Sequence, residues 1–518
     1  MNGCVCVEDI NYVRPPVVVE AAFSLDVSSH VQNVAQTRGL LDAIWLAAER
    51  FERDELLRYV AVINSLIQRQ DVIAQRWASR EELETLLAIG LIWQDEAARA
   101  LELASAVLKR SATQRFRLVL LTVVRYACWK TRRLGVFYDL PMPRHYWGRL
   151  NMQALKIINL SLEAAAEAEQ LRLKLAERNA RRAVALSELA FGVDANAALL
   201  SRCVLAAVAY EMGGIEESHA LIRGRDAAID QYGSADTTLW GMTVAARIAM
   251  ANQQPRQALA VIRRAHAVSR QRGWKALAAH FVEQEITLLI SAGHLLLATQ
   301  TLTRALRREP SIAQLGLPID EMAWPLEAAR LRIAFATGDF AQAADGFTRL
   351  SCWLNERNQE TFAVRFAALA AASLFHGGHP EEACAGLLKA LDLGASAGFF
   401  RTFVDELEVI APCLRRTRAS MKHQLGHLNA YINAILAPRN VAVAVPENNA
   451  AHEMTQILSR REIVVLHLIS KGYSNKIIAR ELHITPETVK SHIKRMSLKL
   501  STKRRAEAVA LGKSLGII

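Results

Sequence analysis

The residues best suited to do chemistry lie near the C-terminus, between Pro486 and about Leu500. Val489, Ile493, Met496 and Leu500 recur at i, i+4, i+7 and i+11, which is one apolar stripe of an α-helix. Lys490, Ser491, Lys494 and Arg495 point elsewhere on that helix and offer donors to solvent. Donors of these types in a row suit non-covalent recognition of phosphates and base edges rather than bond making. A helix of this kind after a tight turn has the geometry that enters a DNA major groove.

The surrounding sequence supplies the elements that must hold this helix. Ser459 followed by Glu462 is a capping box, in which the hydroxyl caps a helix start and the carboxylate reaches back to the cap's own N–H. That first helix carries Ile463, Leu466 and Ile469 and stops at Gly472. Ser474 caps a second helix with Ile477, Ile478 and Leu482. Thr485 caps the third, with Pro486 at its first position, where a missing N–H costs nothing. A fourth helix, about Lys503 to Ser514, has Ala506, Val509 and Ala510 on one side.

Read together, Leu458-Ser459-Arg460-Arg461-Glu462, Gly472-Tyr473-Ser474-Asn475-Lys476, Ile478-Ala479, Thr488-Val489-Lys490-Ser491-His492, Lys499-Leu500 and Arg505 with Ala508-Val509 resemble the helix-turn-helix domain of LuxR-type bacterial transcription regulators. The resemblance runs without a gap over residues 457–518. It departs from the usual pattern at Ile477, Ser501, Thr502 and Ala506, the last three at or just before the fourth helix, which pairs domains in that family. The resemblance implies that Lys490, Ser491 and Lys494 reach base edges. Ser474, Asn475, Lys476, Thr488, Arg495 and Lys499 lie at helix starts or flanks and are expected to grip phosphates.

Charge placement agrees with an acidic partner. Of a net charge of +12 over 518 residues, the stretch Thr455–Ile518 holds +9, from 13 Lys or Arg against 4 Asp or Glu. A basic block of that density belongs next to phosphates. The rest of the chain is nearly neutral, and the full sequence is 52% hydrophobic and 22% charged, the composition of a globular protein with more than one domain. Seven scattered cysteines predict reduced thiols in a cytoplasmic, nucleoid-associated protein. No apolar run approaches the ~18 residues of a membrane helix, and the N-terminus lacks the pattern of a signal peptide.

Upstream, residues 1–36 are poorly patterned and predict a loose arm. Residues 37–140 predict a helical region, with apolar periodicity near 38–69, 79–110 and 114–132 and a loop between Gly135 and Gly148. Helices resume at about Leu150 and run to Leu436. Within this part, alanine-spaced helix starts recur at 214, 254, 294, 339 and 379, a period of about 40. Neither helix of such a unit buries its apolar face alone, so the units must stack. The expected fold is all-α, a tetratricopeptide-like superhelix over 150–436 joined by a Pro- and Asn-bearing linker, 437–456, to the four-helix domain. The array with its segment Ala397–Glu406 resembles that of MalT-like large LuxR regulators. Those regulators usually begin with a nucleotide-binding domain, but this sequence has no G-x-x-x-x-G-K-[S/T], so no ATP binding is expected.

Other candidate chemistry is discounted on context. Gly394-Ala395-Ser396-Ala397-Gly398 fits a nucleophile elbow, yet the residues before it have helical spacing, so a small-residue turn between helices is expected. His467, His483 and His492 have no common metal spacing, and Cys4 and Cys6 lack a second pair. Trp240, Trp274, Trp324 and Trp353 are expected in the core, the alternative being that one or two line a ligand groove. No catalytic residue, metal or cofactor is implied. The expected partners are double-stranded DNA, a second copy through the last helix, RNA polymerase as a candidate, and a small-molecule or protein effector on the array. The competing reading is a helical-repeat scaffold whose terminal domain docks protein.

Overall fold

The computed structural model describes residues 34–49, 52–68, 80–110, 114–140, 152–193, 195–308, 323–420, 428–437, 460–482, 485–500, 502 and 505–514. Within them the fold is all-α with no strand. Six helices come first: α1 (Val34–Glu49), α2 (Arg53–Gln68), α3 (Arg80–Trp93), α4 (Ala97–Lys109), α5 (Gln114–Lys130) and α6 (Leu134–Asp139). The arm and loop read from sequence differ slightly from this. Helix α1 begins at Val34, and the expected loop from Gly135 opens instead with the turn of helix α6, which buries Leu134 and Phe137.

The array then runs through α7 (Met152–Glu169), α8 (Leu173–Phe191), α9 (Leu199–Glu211), α10 (Ile215–Ile222), α11 (Asp226–Tyr232), α12 (Ala235–Ala251), α13 (Pro255–Gln271), α14 (Lys275–Ser291), α15 (Leu295–Arg308), α16 (Trp324–Ala336), α17 (Phe340–Glu356), α18 (Glu360–His376) and α19 (Pro380–Ala397). The helices α10, α13, α15, α17 and α19 start one residue after the repeat positions read from sequence. Two residues before each start sits a left-handed residue: Gly213, Gln253, Gly293, Gly338 and Gly378. That residue reverses the chain tightly enough for consecutive helices to lie antiparallel. Asp95, Arg132, Leu171 and Asn358 do the same without glycine, in a region that L-residues seldom adopt.

Small residues set the spacing between neighbours. A Cβ at Gly346 of α17 would lie 2.2 Å from Leu331 of α16, so glycine permits that approach. The array curves back on itself. One buried cluster joins Leu155, Leu162 and Leu205 of the early helices to Val364, Leu387, Phe403 and Ile432 of the late ones. The late ones are completed by α20 (Arg401–Asp405), α21 (Leu407–Ser420) and α22 (Leu428–Leu436). The Gly-Ala-Ser-Ala-Gly motif is not the interhelix turn expected. Gly394 to Ala397 form the last turn of α19, and Gly398 is its left-handed cap.

The C-terminal helices are α23 (Arg460–Ser470), α24 (Asn475–Glu481), α25 (Pro486–Lys499) and α26 (Arg505–Ser514). They share a core of their own, in which Val465, Leu466, Ile478, Val489, Met496, Leu500 and Ala508 are buried. Ile493 packs against it partly covered. Gly472 takes φ +80° at the end of α23.

Candidate nucleic-acid interface and the cavity of the array

The roll of α25 follows from its burial. With Val489, Met496 and Leu500 inward, Lys490, Ser491 and Lys494 are exposed on the outer side. The helix start is fixed by Thr485, whose Oγ1 accepts from the Thr488 N–H at 3.2 Å and meets the Thr488 hydroxyl at 2.9 Å. Lys490 Nζ donates to Glu487 at 2.8 Å, an exposed pair one helical turn apart that an anion displaces cheaply. The Ser491 hydroxyl donates back to the Glu487 carbonyl at 3.1 Å.

The expected phosphate-facing residues are less uniform. Ser474 caps α24, accepting from the Ile477 N–H at 3.4 Å. Asn475 Oδ1 accepts from Arg505 Nη1 at 3.2 Å, and Arg505 also donates to the Tyr473 carbonyl, so α26 is tied to the turn before α24. Lys476 is exposed. The side chains of Arg495 and Lys499 lie outside the described residues, as do Ser459, His483, Cys4 and Cys6. His492 is half-buried. His467 does something the sequence did not signal: its Nε2 lies 2.9 Å from Asn358 Oδ1 in the array.

The second feature is a cavity of about 680 Å³ inside the curved array. Its walls carry fixed ion pairs from distant parts of the chain. Arg332 binds Glu406 through both terminal nitrogens, one at 3.1 Å, and reaches Glu283 at 3.3 Å. Arg365 Nε also donates to Glu406, at 2.8 Å. Burial alone pushes the Glu406 carboxyl up, but the two guanidiniums outweigh it and hold it at about 2. Burial likewise opposes the Arg332 charge, and Glu406 with Glu283 more than restores it.

A second group lies beside the first. Arg247 pairs with Glu211 and, at 2.9 Å, with Asp405, while Arg401 binds Asp405 at 2.8 Å and the Tyr210 hydroxyl at 3.1 Å. The Thr402 N–H and hydroxyl both donate to Glu211, at 3.1 and 2.8 Å. Residues 397–406 therefore close one wall of the cavity. A third group joins Lys130 to Asp236 at 2.8 Å and to Asp95 at 3.1 Å. His280 faces Trp324 and Phe362, and burial with Lys130 and Arg132 nearby pushes its pKa down to about 3. Trp274 and Trp324 are buried, whereas Trp240 lines the cavity half-exposed.

These charged side chains are paired with one another in place. Residues 151–420, just over half of the chain, match the family model described as the MalT-like TPR region. The chain belongs to the MalT-like TPR family. Residues 456–511 match the model for bacterial regulatory proteins of the luxR family.

Among curated relatives, the transcriptional regulator MalT of Klebsiella pneumoniae is 31% identical over 157 residues, which are 26% of this chain and 16% of that protein. The regulator AlkS of Ectopseudomonas oleovorans is 27% identical over 146 residues, 27% of this chain and 15% of AlkS. The response regulator VraR of Staphylococcus aureus is 46% identical over 57 residues, 11% of this chain and 27% of VraR. The matched stretches thus span well under a third of each relative's length. The cavity reaches beyond the MalT-like TPR region, because Asp95, Lys130 and Arg132 come from the helices before it. Sequence periodicity had no signal for Arg247, Arg332 or Arg365, whereas Asp405 and Glu406 belong to the segment that resembles the MalT-like regulators. Among the described residues no helix is long and apolar enough to cross a membrane.

Proposed function

We propose that the chain is a DNA-binding transcription regulator of bacterial cytoplasm, with an array that takes an effector and a C-terminal domain that reads promoter DNA. The observation that carries the reading is the exposed row Lys490, Ser491 and Lys494 on α25, in a domain matching the luxR family. Lys494, exposed on α25, suits guanine O6 or N7, and Lys490 leaves its exposed Glu487 partner at little cost. Ser491 contributes its hydroxyl oxygen as an acceptor while its O–H donates to the Glu487 carbonyl. Ser474, Asn475, Lys476, Thr488, Arg495 and Lys499 hold the phosphates on either side. Two copies paired through α26 would place two such helices on half-sites about one DNA turn apart.

The effector belongs in the cavity. Its volume falls in the range of small-molecule sites, about 300–1,000 Å³. Half-exposed Trp240 supplies an apolar surface, and the surrounding ion pairs supply fixed donors and acceptors.

Selection of bound duplexes from a random pool by the full chain tests the DNA reading. A single enriched motif, with altered preference at one base pair for Lys494→Ala, is the expected result. A chain that retains no duplex at low salt would overturn it.

A further inference from the structure

The C-terminal domain is not free of the array. Asn358 Oδ1 accepts from Lys471 Nζ at 3.2 Å and meets His467 Nε2 at 2.9 Å, so one side chain of the array holds two residues of α23 and its exit. Helix α6 packs on α23, and Tyr138 of α6 lies against the core of the C-terminal domain. Helix α19 touches α26. The contact is therefore spread over two faces of the domain.

Asn358 occupies the left-handed region at φ 59° in the turn between α17 and α18. An L-residue is held there at a cost, and asparagine at a lower one than most. The next residue, Gln359, is buried and faces the cavity. With its amide oxygen turned toward Arg132, it accepts from Arg132 Nε at 2.9 Å. Thr361, Phe362 and Arg365 of the same helix start also line the cavity. Within the turn 357–361, Gln359 and Thr361 thus line the cavity on one side while Asn358 bonds the C-terminal domain on the other.

The charge around this turn bears on DNA. Burial lowers the Lys471 pKa, and Glu360 and Glu356 lie close enough to offset part of that shift. Lys471 is three residues from Ser474, at the start of the proposed phosphate grip, so the two positions are within about 11 Å along the chain. A duplex seated on Ser474–Lys476 brings its phosphates toward two carboxylates of the array, which is a like-charge approach.

We propose that the turn 357–361 is a clasp through which the cavity controls DNA binding. In the docked state Asn358 holds α23, and Glu356 and Glu360, offset only in part by Arg357 between them, disfavour the duplex. A ligand that engages Arg132, Gln359 or Arg365 displaces the turn and frees the domain. This rests on the reading of the C-terminal domain as DNA-binding.

The test uses the full chain with Asn358→Gly, which removes both contacts while glycine accepts the positive φ. Hydrogen exchange along α23 reads the docking without DNA, and duplex affinity at fixed salt reads the consequence. The variant should exchange faster across Arg460–Ser470 and bind duplex up to about tenfold more tightly, the shift expected from two lost hydrogen bonds. Gln359→Ala, which cuts only the cavity side, should loosen α23 in the same direction. Unchanged exchange in Asn358→Gly overturns the clasp. Faster exchange with unchanged duplex affinity overturns its control of DNA, and unchanged exchange in Gln359→Ala overturns its link to the cavity. Faster exchange with no duplex binding by any form instead refutes the DNA reading, and the clasp's control of DNA falls with it. A variant that misfolds shows lost protection in α9 as well, and His467→Ala then carries the same measurement.

Discussion

Replacing Glu406 by alanine should weaken the array by about 3–5 kcal/mol, the usual range for stripping a buried ion pair of one partner. Glu406 is 7% exposed and sits between Arg332 and Arg365, at 2.8 Å from the latter. At an effective dielectric of about 20, unit charges about 3 Å apart attract by about 5 kcal/mol, much of which offsets the desolvation of the carboxylate. Once it is gone, two guanidiniums share Glu283, which lies 3.3 Å from Arg332 and 3.7 Å from Arg365. The double variant Arg332→Met with Glu406→Leu leaves one acid and one base, Glu283 and Arg365, and should recover most of the loss. All nine tryptophans precede residue 437, so their fluorescence during urea unfolding follows the N-terminal helices and the array without the C-terminal domain. A loss below about 1 kcal/mol in Glu406→Ala would refute the reasoning. So would a double variant no more stable than the single one.

The base and phosphate assignments should fail differently. Lys494→Ala should cost ~1–3 kcal/mol on the selected motif and relax preference at one base pair, whereas Lys476→Ala should weaken all duplexes alike and lower the salt slope by about one; equal loss on every sequence for Lys494→Ala would remove it from the base contacts. His280 has its pKa depressed to about 3, so the unfolded chain binds the extra proton first. Its contribution to stability is complete above the ordinary histidine value and is lost as pH falls below it. Between pH ~6.5 and ~5 the array should therefore lose up to about 2 kcal/mol, and His280→Phe should flatten that slope in urea titrations at each pH. Glu406 titrates lower, and His266, whose pKa burial also lowers, adds to the same slope, which is why the His280→Phe comparison isolates the His280 share. Gly394→Ala should lower the melting temperature despite alanine's better helix propensity, because its Cβ would lie 2.5 Å from Phe403 and 2.9 Å from the Tyr431 hydroxyl. Gly386→Ala, with its nearest neighbour at 3.7 Å, should raise it.

Much of the fold was legible because its signals are local. Ser474 and Thr485 cap the helices they announce, since a cap needs only an oxygen within three residues of an orphan N–H. The starts of α10, α13, α15, α17 and α19 were legible because one left-handed residue recurs before each. The breaks inside 38–69 and 79–110 were not, because apolar periodicity continues through a short turn. Helices α1 and α2, like α3 and α4, are separate helices within one periodic stretch. The Gly-Ala-Ser-Ala-Gly motif was read as a turn on its small residues, yet Gly394 is helical because α19 must pass close to Phe403 and Tyr431.

By itself the sequence determined the helices, their amphipathic faces and the basic outer side of α25, all of which follow from residues within one or two turns of each other. It determined neither the cavity nor the clasp. Arg332 meets Glu406 across 74 residues, Arg247 meets Asp405 across 158, and His467 meets Asn358 across 109. Such pairs are fixed by how far each helix pair rotates against the next, a small angle set by side-chain volumes at every interface and summed along the array. Only the accumulated curvature brings the late helices back to the early ones. Only then do the arginines find their carboxylates and Asn358 face the C-terminal domain.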